Sequence, residues 1–415
     1  MSPAVPDAVA ETARSGAASV FRYVARSAEV VAEGVRWQTL DAAYRPQYRG
    51  DFYASGGIPL FLADYYRLTR DERALTLGMG GARWCDTPGR RFLGDRPGAE
   101  DWGLLLGRSG LGLTWLRLAA VSGDATALER AVTIATGLLE REPAGNPHLG
   151  SGVAGQGLFL LRLWERTRDE GHLAGAIRCG EWLAARAVWR DAGCSWPPAH
   201  DSGQPDRTAM VAGIAGTGMF LLQLYRATRE ARWAALARGG ATTLSREARA
   251  DRGGLNWLPL VGADFDFDAD WQRIPVRAPL TRCQWCNGAP GVGRFFVTAY
   301  EILGDGAYLA TAEGAGEATF AYGDGRANPS YCHGLAGNAE LFVELYRVGG
   351  APRGRARAHD FARLMLAYRT AGAAGDTWPA DEPGTAAPDF LCGAAGVGHV
   401  FLRLLAPSVV PPALF

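Results

Sequence analysis

The sequence predicts an all-helical fold, an α/α toroid with about seven inner and seven outer helices. Three observations carry that prediction. Glycine makes up 55 of 415 residues, about one in eight. Many of these glycines fall in short Gly-x-x-Gly blocks with no Gly-X-Y period. Each block runs into a segment rich in Leu, Phe and Tyr on nearly every face, as a buried helix requires.

The blocks recur seven times. In chain order they are Tyr53–Gly56, Gly107–Gly110, Gly152–Gly155, Gly213–Gly216, Gly288–Gly291, Gly334–Gly337 and Gly393–Gly396. The first is the weakest and is recognised by the apolar run on its C-terminal side. Leu60–Arg67 matches Leu341–Arg347 after the sixth block and Leu221–Arg226 after the fourth. Successive blocks lie about 45 to about 75 residues apart, with the longest gap before Gly288. Between them lie segments with a roughly 3.6-residue period, suited to outer amphipathic helices: 125–139, 172–187, 233–244, 308–322 and 355–368. Asp and Gly commonly precede these as cap and stop signals. A fixed self-similar unit is the mark of a repeat architecture. Very apolar inner helices favour a closed toroid over an open solenoid. The whole chain, 1–415, is therefore expected to be one domain: a helical lead-in over 1–50 and the seven repeats over 51–405.

Composition narrows the function. The chain has 43 basic and 43 acidic side chains and no net charge, and every basic residue is arginine. Without basic runs it is a poor nucleic-acid binder, since that affinity comes mainly from phosphate neutralisation. No run of about 18 apolar residues is present to span a membrane. Residues Asp7, Glu11, Arg14 and Arg22 make the N-terminus unlike a signal peptide. The expected compartment is the cytoplasm. Seven cysteines in a long chain of this kind argue against a disulfide framework.

Chemistry concentrates in the fifth and sixth copies. Cys286 stands two residues before Gly288, and Cys332 two residues before Gly334, with His333 next to it. The repeat register thus presents two thiols and an imidazole at one level. Two Cys and one His suit zinc and leave its fourth tetrahedral position for a substrate. Cys283 is expected to be structural. Cys392 lies one residue before Gly393, out of register with the other two thiols, and reads as core filler. The alternating Asp264, Asp266, Asp268 and Asp270 lack the turn glycine and final Glu of a calcium loop and read as a solvated insertion.

Trp285, Cys286 and Gly288, together with Cys332, His333 and Gly334 on a seven-copy chain, resemble the lanthionine synthetase C family. The likeness runs from about Tyr53 to Leu405. It implies an α/α toroid with zinc held by Cys286, Cys332 and His333. It also implies the addition of a peptide cysteine thiolate to dehydroalanine or dehydrobutyrine, giving lanthionine or methyllanthionine. Arg282 matches the family's functional arginine and is expected to stabilise the enolate formed on addition. The substrate would be a dehydrated precursor peptide. No kinase or lyase segment is apparent, so a separate dehydrating enzyme is expected.

The proton-transfer set departs from the family pattern. Gly216 is read as standing where the family carries its acid/base histidine, and Asn287 comes after the first zinc cysteine. His148 occupies the place of a family aspartate and is the expected replacement acid; an imidazole suits that task. His200 on a long loop is a second possibility, with Thr217 and Tyr331 behind it. His399 reads as packed core. Two further readings remain: a non-catalytic scaffold that binds the precursor or partner enzymes, and an enzyme adding glutathione to dehydroamino acids. A glycosidase on the same fold would need paired carboxylates. None stands at the Gly-x-x-Gly positions.

Overall fold

The computed structural model describes residues 7–41, 43–95, 101–198, 206–268, 272–325, 327–350, 352–382 and 384–415. It is mostly helical. The chain divides into two compact units. The first comprises Met1–Glu140, Arg326–Ala339 and Arg355–Phe415, and the second Arg141–Gly325 and Glu340–Gly354.

The first unit holds α1 (Asp7–Arg26), α2 (Ile58–Thr69), α3 (Glu72–Cys85), α4 (Arg108–Ser122) and α5 (Ala125–Leu139). The second holds α6 (Val153–Thr167), α7 (Glu170–Ala184), α8 (Ile214–Thr228), α9 (Ala231–Glu247), α10 (Ala289–Leu303) and α11 (Gly306–Tyr322). The chain then passes through α12 (Leu335–Gly349), which starts in the first unit and ends in the second, to α13 (Pro352–Ala367) and α14 (Ala394–Leu405) of the first. The helices alternate as the repeat predicts. Those that come directly after a glycine block, such as α4, α8 and α14, are buried along most of their length. Their partners are buried on one stripe. The last buried helix, α14, packs on α1, which serves as its amphipathic partner.

Local sequence explains the tight turn within each pair. The buried helix stops at a left-handed residue: Arg70, Gly123, Arg168, Arg229 and Gly304 have φ of 60°, 70°, 59°, 61° and 76°. An aspartate then opens the next helix. Asp71, Asp124, Asp169 and Asp305 each accept a backbone N–H of the first turn at 2.8–3.0 Å. Such a cap is worth about 1 kcal/mol.

Sequence patterning misses one feature. Among the described residues, five short two-stranded hairpins interrupt the helices. Three of them lie just after an amphipathic helix and carry a buried tryptophan at or next to the end of the second strand. The indole N–H of Trp37 donates to Val24 O (2.8 Å), that of Trp196 to Leu183 O (3.0 Å) and that of Trp257 to Leu244 O (2.7 Å). Each donor is 13 residues beyond its acceptor. The hairpin is thus clamped back onto the end of its helix.

The glycine blocks answer a steric demand. Before each buried helix the chain folds back, so the carbonyl six residues earlier presses on a glycine. A Cβ at Gly110, Gly216, Gly291 or Gly396 would collide with the carbonyl of Leu104, Met210, Trp285 or Phe390. A Cβ at Gly107, Gly152, Gly213, Gly334 or Gly393 would collide with that of Asp101, Asn146, Arg207, Asn328 or Ala387. The first helical N–H groups meet the same loop: Val153 N donates to Asn146 O (2.9 Å), Ile214 N to Arg207 O (2.8 Å) and Leu335 N to Asn328 O (3.1 Å). This satisfies helix N–H groups that otherwise lack partners. It also corrects the reading of Gly216. That residue is the regular second glycine of its copy, and no side chain fits there. The position in register with His333 is Ala212.

Replacing Gly216 by alanine is expected to lower the unfolding free energy by about 1–3 kcal/mol, the range for overpacking. Urea denaturation checks this, with Gly306→Ala, at an exposed glycine with open space around it and no left-handed φ, as reference.

Candidate metal and catalytic site

The loops ahead of the buried helices are tied to one another by one recurring backbone bond. In the second unit, Gly150 N donates to Val211 O (2.9 Å) and Met210 N to Cys286 O (3.2 Å). In the first unit, Cys332 N donates to Leu391 O (2.7 Å) and Tyr53 N to Leu105 O (3.1 Å). Val211, Cys286, Leu391 and Leu105 each stand two residues before a block glycine. The backbone there is pinned, so residues at this position share a fixed setting whatever their side chains.

In the second unit, Cys286 is buried, and its Sγ receives a hydrogen bond from Asn287 Nδ2 at 3.4 Å. Asn287, a departure from the family pattern, thus steadies the thiol. The loop is held by Asn256, which is wholly buried. Its Nδ2 donates to Arg282 O (2.8 Å) and Asp251 Oδ2 (2.9 Å). Its Oδ1 accepts from Ala289 N (2.8 Å), the first residue of α10, and from Trp257 N (2.9 Å). Gly288 meets this geometry at a φ of 116°. Cys283 is buried, and burial pushes its thiol up to about 12, as suits a structural residue.

Arg282 is also buried, with Nη2 donating to Asp268 O at 3.0 Å. That carbonyl lies just beyond the first strand of the hairpin formed by Phe265–Phe267 and Arg273–Pro275. Asp266 is only 1% exposed and accepts from Thr281 N and Thr281 Oγ1, both at 2.7 Å. The acidic stretch is therefore a hairpin that positions Arg282, not a solvated insertion. Its alternating aspartates are the period-two signal of a strand. Asp270 lies outside the described residues.

His148 is buried in the same unit, and burial, with the Arg207 charge beside it, lowers its pKa to about 4. Among the described residues its Nδ1 has no hydrogen-bond partner. The imidazole is neutral at pH 7. Thr217 is committed elsewhere, its Oγ1 donating to Pro147 O at 3.4 Å. His200 lies outside the described residues.

The first unit brings together Cys332, His333, Asp381 and Cys392. His333 Nδ1 lies 2.9 Å from Asp381 Oδ2. This pairing fixes the ring and leaves Nε2 as the atom able to bind a metal. Ligand atoms of His333, Asp381 and Cys392 lie within 4.8 Å of one another. A hydrogen bond with the Cys332 thiol, opposed by burial, holds the Cys392 thiol below its ordinary range. Tyr53 Oη is 2.9 Å from Cys392 Sγ. Cys392 is therefore no filler. Its register, one residue before the glycine, is that of His333, and this is the sequence signal that reveals it. Asp381 and Tyr53 give no sequence signal. Thiols, an imidazole and an outer carboxylate form a donor set that suits zinc. His399 is packed core as expected, with Nδ1 3.3 Å from Asp64 Oδ2 and no exposure.

Comparisons with known proteins identify the family and the fold. Residues 50–415 match the family described as lanthionine synthetase C-like protein. Among solved structures, nisin cyclase aligns with a TM-score of 0.63 at 18% identity, over 87% of this chain and 90% of that one. A GH76 α-mannanase of Bacteroides thetaiotaomicron aligns at 0.54 and 12% identity, over 95% of each chain. A sugar epimerase from a ruminal bacterium aligns at 0.52 and 11%, over 97% of this chain and 99% of that one. These likenesses show the fold, mostly helical and of the toroid type expected. The glutathione S-transferase LANCL1 of Danio rerio is 36% identical over 84 residues, which is 20% of this chain and 21% of that protein. The match thus spans about a fifth of the relative's length. No described helix is long and apolar enough to cross a membrane.

The His148 environment sets a pH dependence. With a folded pKa of about 4 against 6.5 when unfolded, the native state resists protonation. Above pH 6.5 both states are neutral there. As pH falls from 6.5 towards 4 only the unfolded state gains the proton, so stability drops, by about 3 kcal/mol at most. The difference in unfolding free energy between wild type and His148→Gln, measured by denaturation across that window, is expected to show this slope.

Proposed function

The chain belongs to the lanthionine synthetase C-like family, and on that premise we propose that it is a zinc-dependent peptide thioether cyclase. The reading is carried by one observation: Cys332 and His333, with Asp381 orienting the imidazole, present zinc-type ligands where the family match runs. Cys286, Cys332 and His333 are the proposed ligands. Bound zinc would hold a substrate cysteine as thiolate at neutral pH.

In the reaction, a C–S bond forms at the β-carbon of a dehydroalanine or dehydrobutyrine. The thiol proton is lost, and a proton is gained at the α-carbon through an enolate. Arg282, held by Asp268 and by the Asn256 network, is the proposed stabiliser of that enolate, a fixed cation in a buried setting. His148 is the proposed proton donor. As a neutral imidazole it would donate through a ring N–H and take the proton back from solvent or from the next thiol. The substrate is a dehydrated precursor peptide, supplied by a separate dehydrating enzyme. Seven free cysteines suit a reducing compartment such as the cytoplasm.

A second reading has its own support. The partial likeness to LANCL1 favours addition of glutathione to dehydroamino acids. The third, a scaffold that binds precursor without chemistry, gives no product with either thiol.

Purified protein is expected to carry about one zinc per chain, the complement of one three-ligand centre. With a dehydrated peptide bearing free cysteines, free thiol should disappear with time. Cys332→Ala should abolish the loss together with the zinc. His148→Ala should keep the zinc and slow the loss about 100-fold or more, the usual contribution of a general acid. Glutathione consumed in place of peptide thiol would move the assignment to the second reading. No thiol loss above background would overturn the cyclase.

A further inference from the structure

Cys392 has no part in the three-ligand centre proposed above, yet it stands beside one of its residues, His333. In the first unit it occupies the same register as His333, one residue ahead of its glycine. Its backbone N–H donates to Asp389 Oδ1 at 2.8 Å, which fixes where the side chain starts. Its Sγ lies within 4.8 Å of ligand atoms of His333 and Asp381.

We propose that Cys392 is a fourth protein ligand, closing the metal centre while no substrate is bound. The inference rests on the zinc reading of the preceding subsection. Two groups beside His333 could fill a fourth position, and the geometry separates them. Asp381 is engaged with His333 Nδ1 at 2.9 Å, the outer-shell place of a carboxylate behind a metal-binding imidazole. Cys392 carries sulfur, which zinc takes readily in a tetrahedral set with Cys and His. Tyr53 Oη, 2.9 Å from Cys392 Sγ, can donate to that sulfur and steady it as an outer-shell partner. A substrate thiol would take the place of Cys392, its proton passing to the departing Cys392 thiolate, so that the total charge of the site would be unchanged.

X-ray absorption at the zinc edge of the substrate-free wild type counts the sulfurs directly, without any substitution. Three sulfurs and one nitrogen are expected, and two sulfurs with added oxygen would overturn the proposal. In Cys392→Ser the sulfur count should fall to two. Thiolate-to-metal absorption of the cobalt-substituted protein should drop by about a third. Zinc should pass to a competing chelator at about tenfold to a hundredfold lower chelator concentration, the scale set by loss of a supporting ligand. Cys85→Ser, in α3, should change none of these. If Cys392→Ser holds its metal with unchanged sulfur count and absorption, Cys392 is not a ligand and the three-ligand reading stands. If the wild type binds no metal at all, the zinc reading itself falls, and this proposal with it.

Discussion

The structure depends on a close approach between a carbonyl and a glycine six residues further on. Each loop that leads into a buried helix doubles back until its own carbonyl oxygens meet the start of that helix. Only glycine leaves room for them there. The contact supplies acceptors for the helix's first N–H groups, which are expensive to leave unpaired in a buried setting. It also fixes the path of the residues between the carbonyl and the glycine. The residues proposed for the site, His148, Arg282, Cys286, Cys332, His333 and Cys392, all lie within such loops. A steric rule about backbone thus determines where side chains can act.

The same rule separates scaffold from chemistry. Neighbouring loops are joined through backbone groups two residues ahead of the glycine. Cys286, Val211, Leu391 and Leu105 therefore accept equivalent bonds with different side chains. A thiol can replace a valine at this position without altering the loop's support. The supports that do differ are particular to a copy. Asn256 ties the Cys286 loop to α10, and Asp266 secures the hairpin carrying the carbonyl that holds Arg282. These polar groups are buried and fully used, the condition under which such networks specify one arrangement.

Much of this is legible in the sequence. Glycine spacing and the apolar runs predict the alternation of helices, and the segment predicted over 125–139 matches α5 in both bounds. The aspartate caps obey simple hydrogen-bonding rules. Cys332 and His333 are found by register. The misses have physical causes. Gly216 looks out of place because a family comparison weighs side chains, while the demand at that position comes from a carbonyl distant along the chain. Cys392 reads as filler when register is judged against the cysteines alone, whereas its counterpart is His333. Asp266 misleads when read by charge rather than by its two-residue period. Asp381 and Asn256 act through tertiary hydrogen bonds, for which a single sequence holds no periodic signal.

The tryptophan clamps bear on how the chain comes apart. Trp37 in the lead-in, and Trp196 and Trp257 in two of the copies, each fasten a hairpin to the end of the helix before it. Each indole donates to the helix before it and is covered by the pair after it: Trp37 lies against Gly81 of α3, Trp196 against Gly240 of α9 and Trp257 against Phe296 of α10. The protein therefore carries separate optical reporters along its length. Fluorescence from chains keeping one of these indoles would reveal whether the copies open together or in sequence, as in an array held by contacts between neighbours.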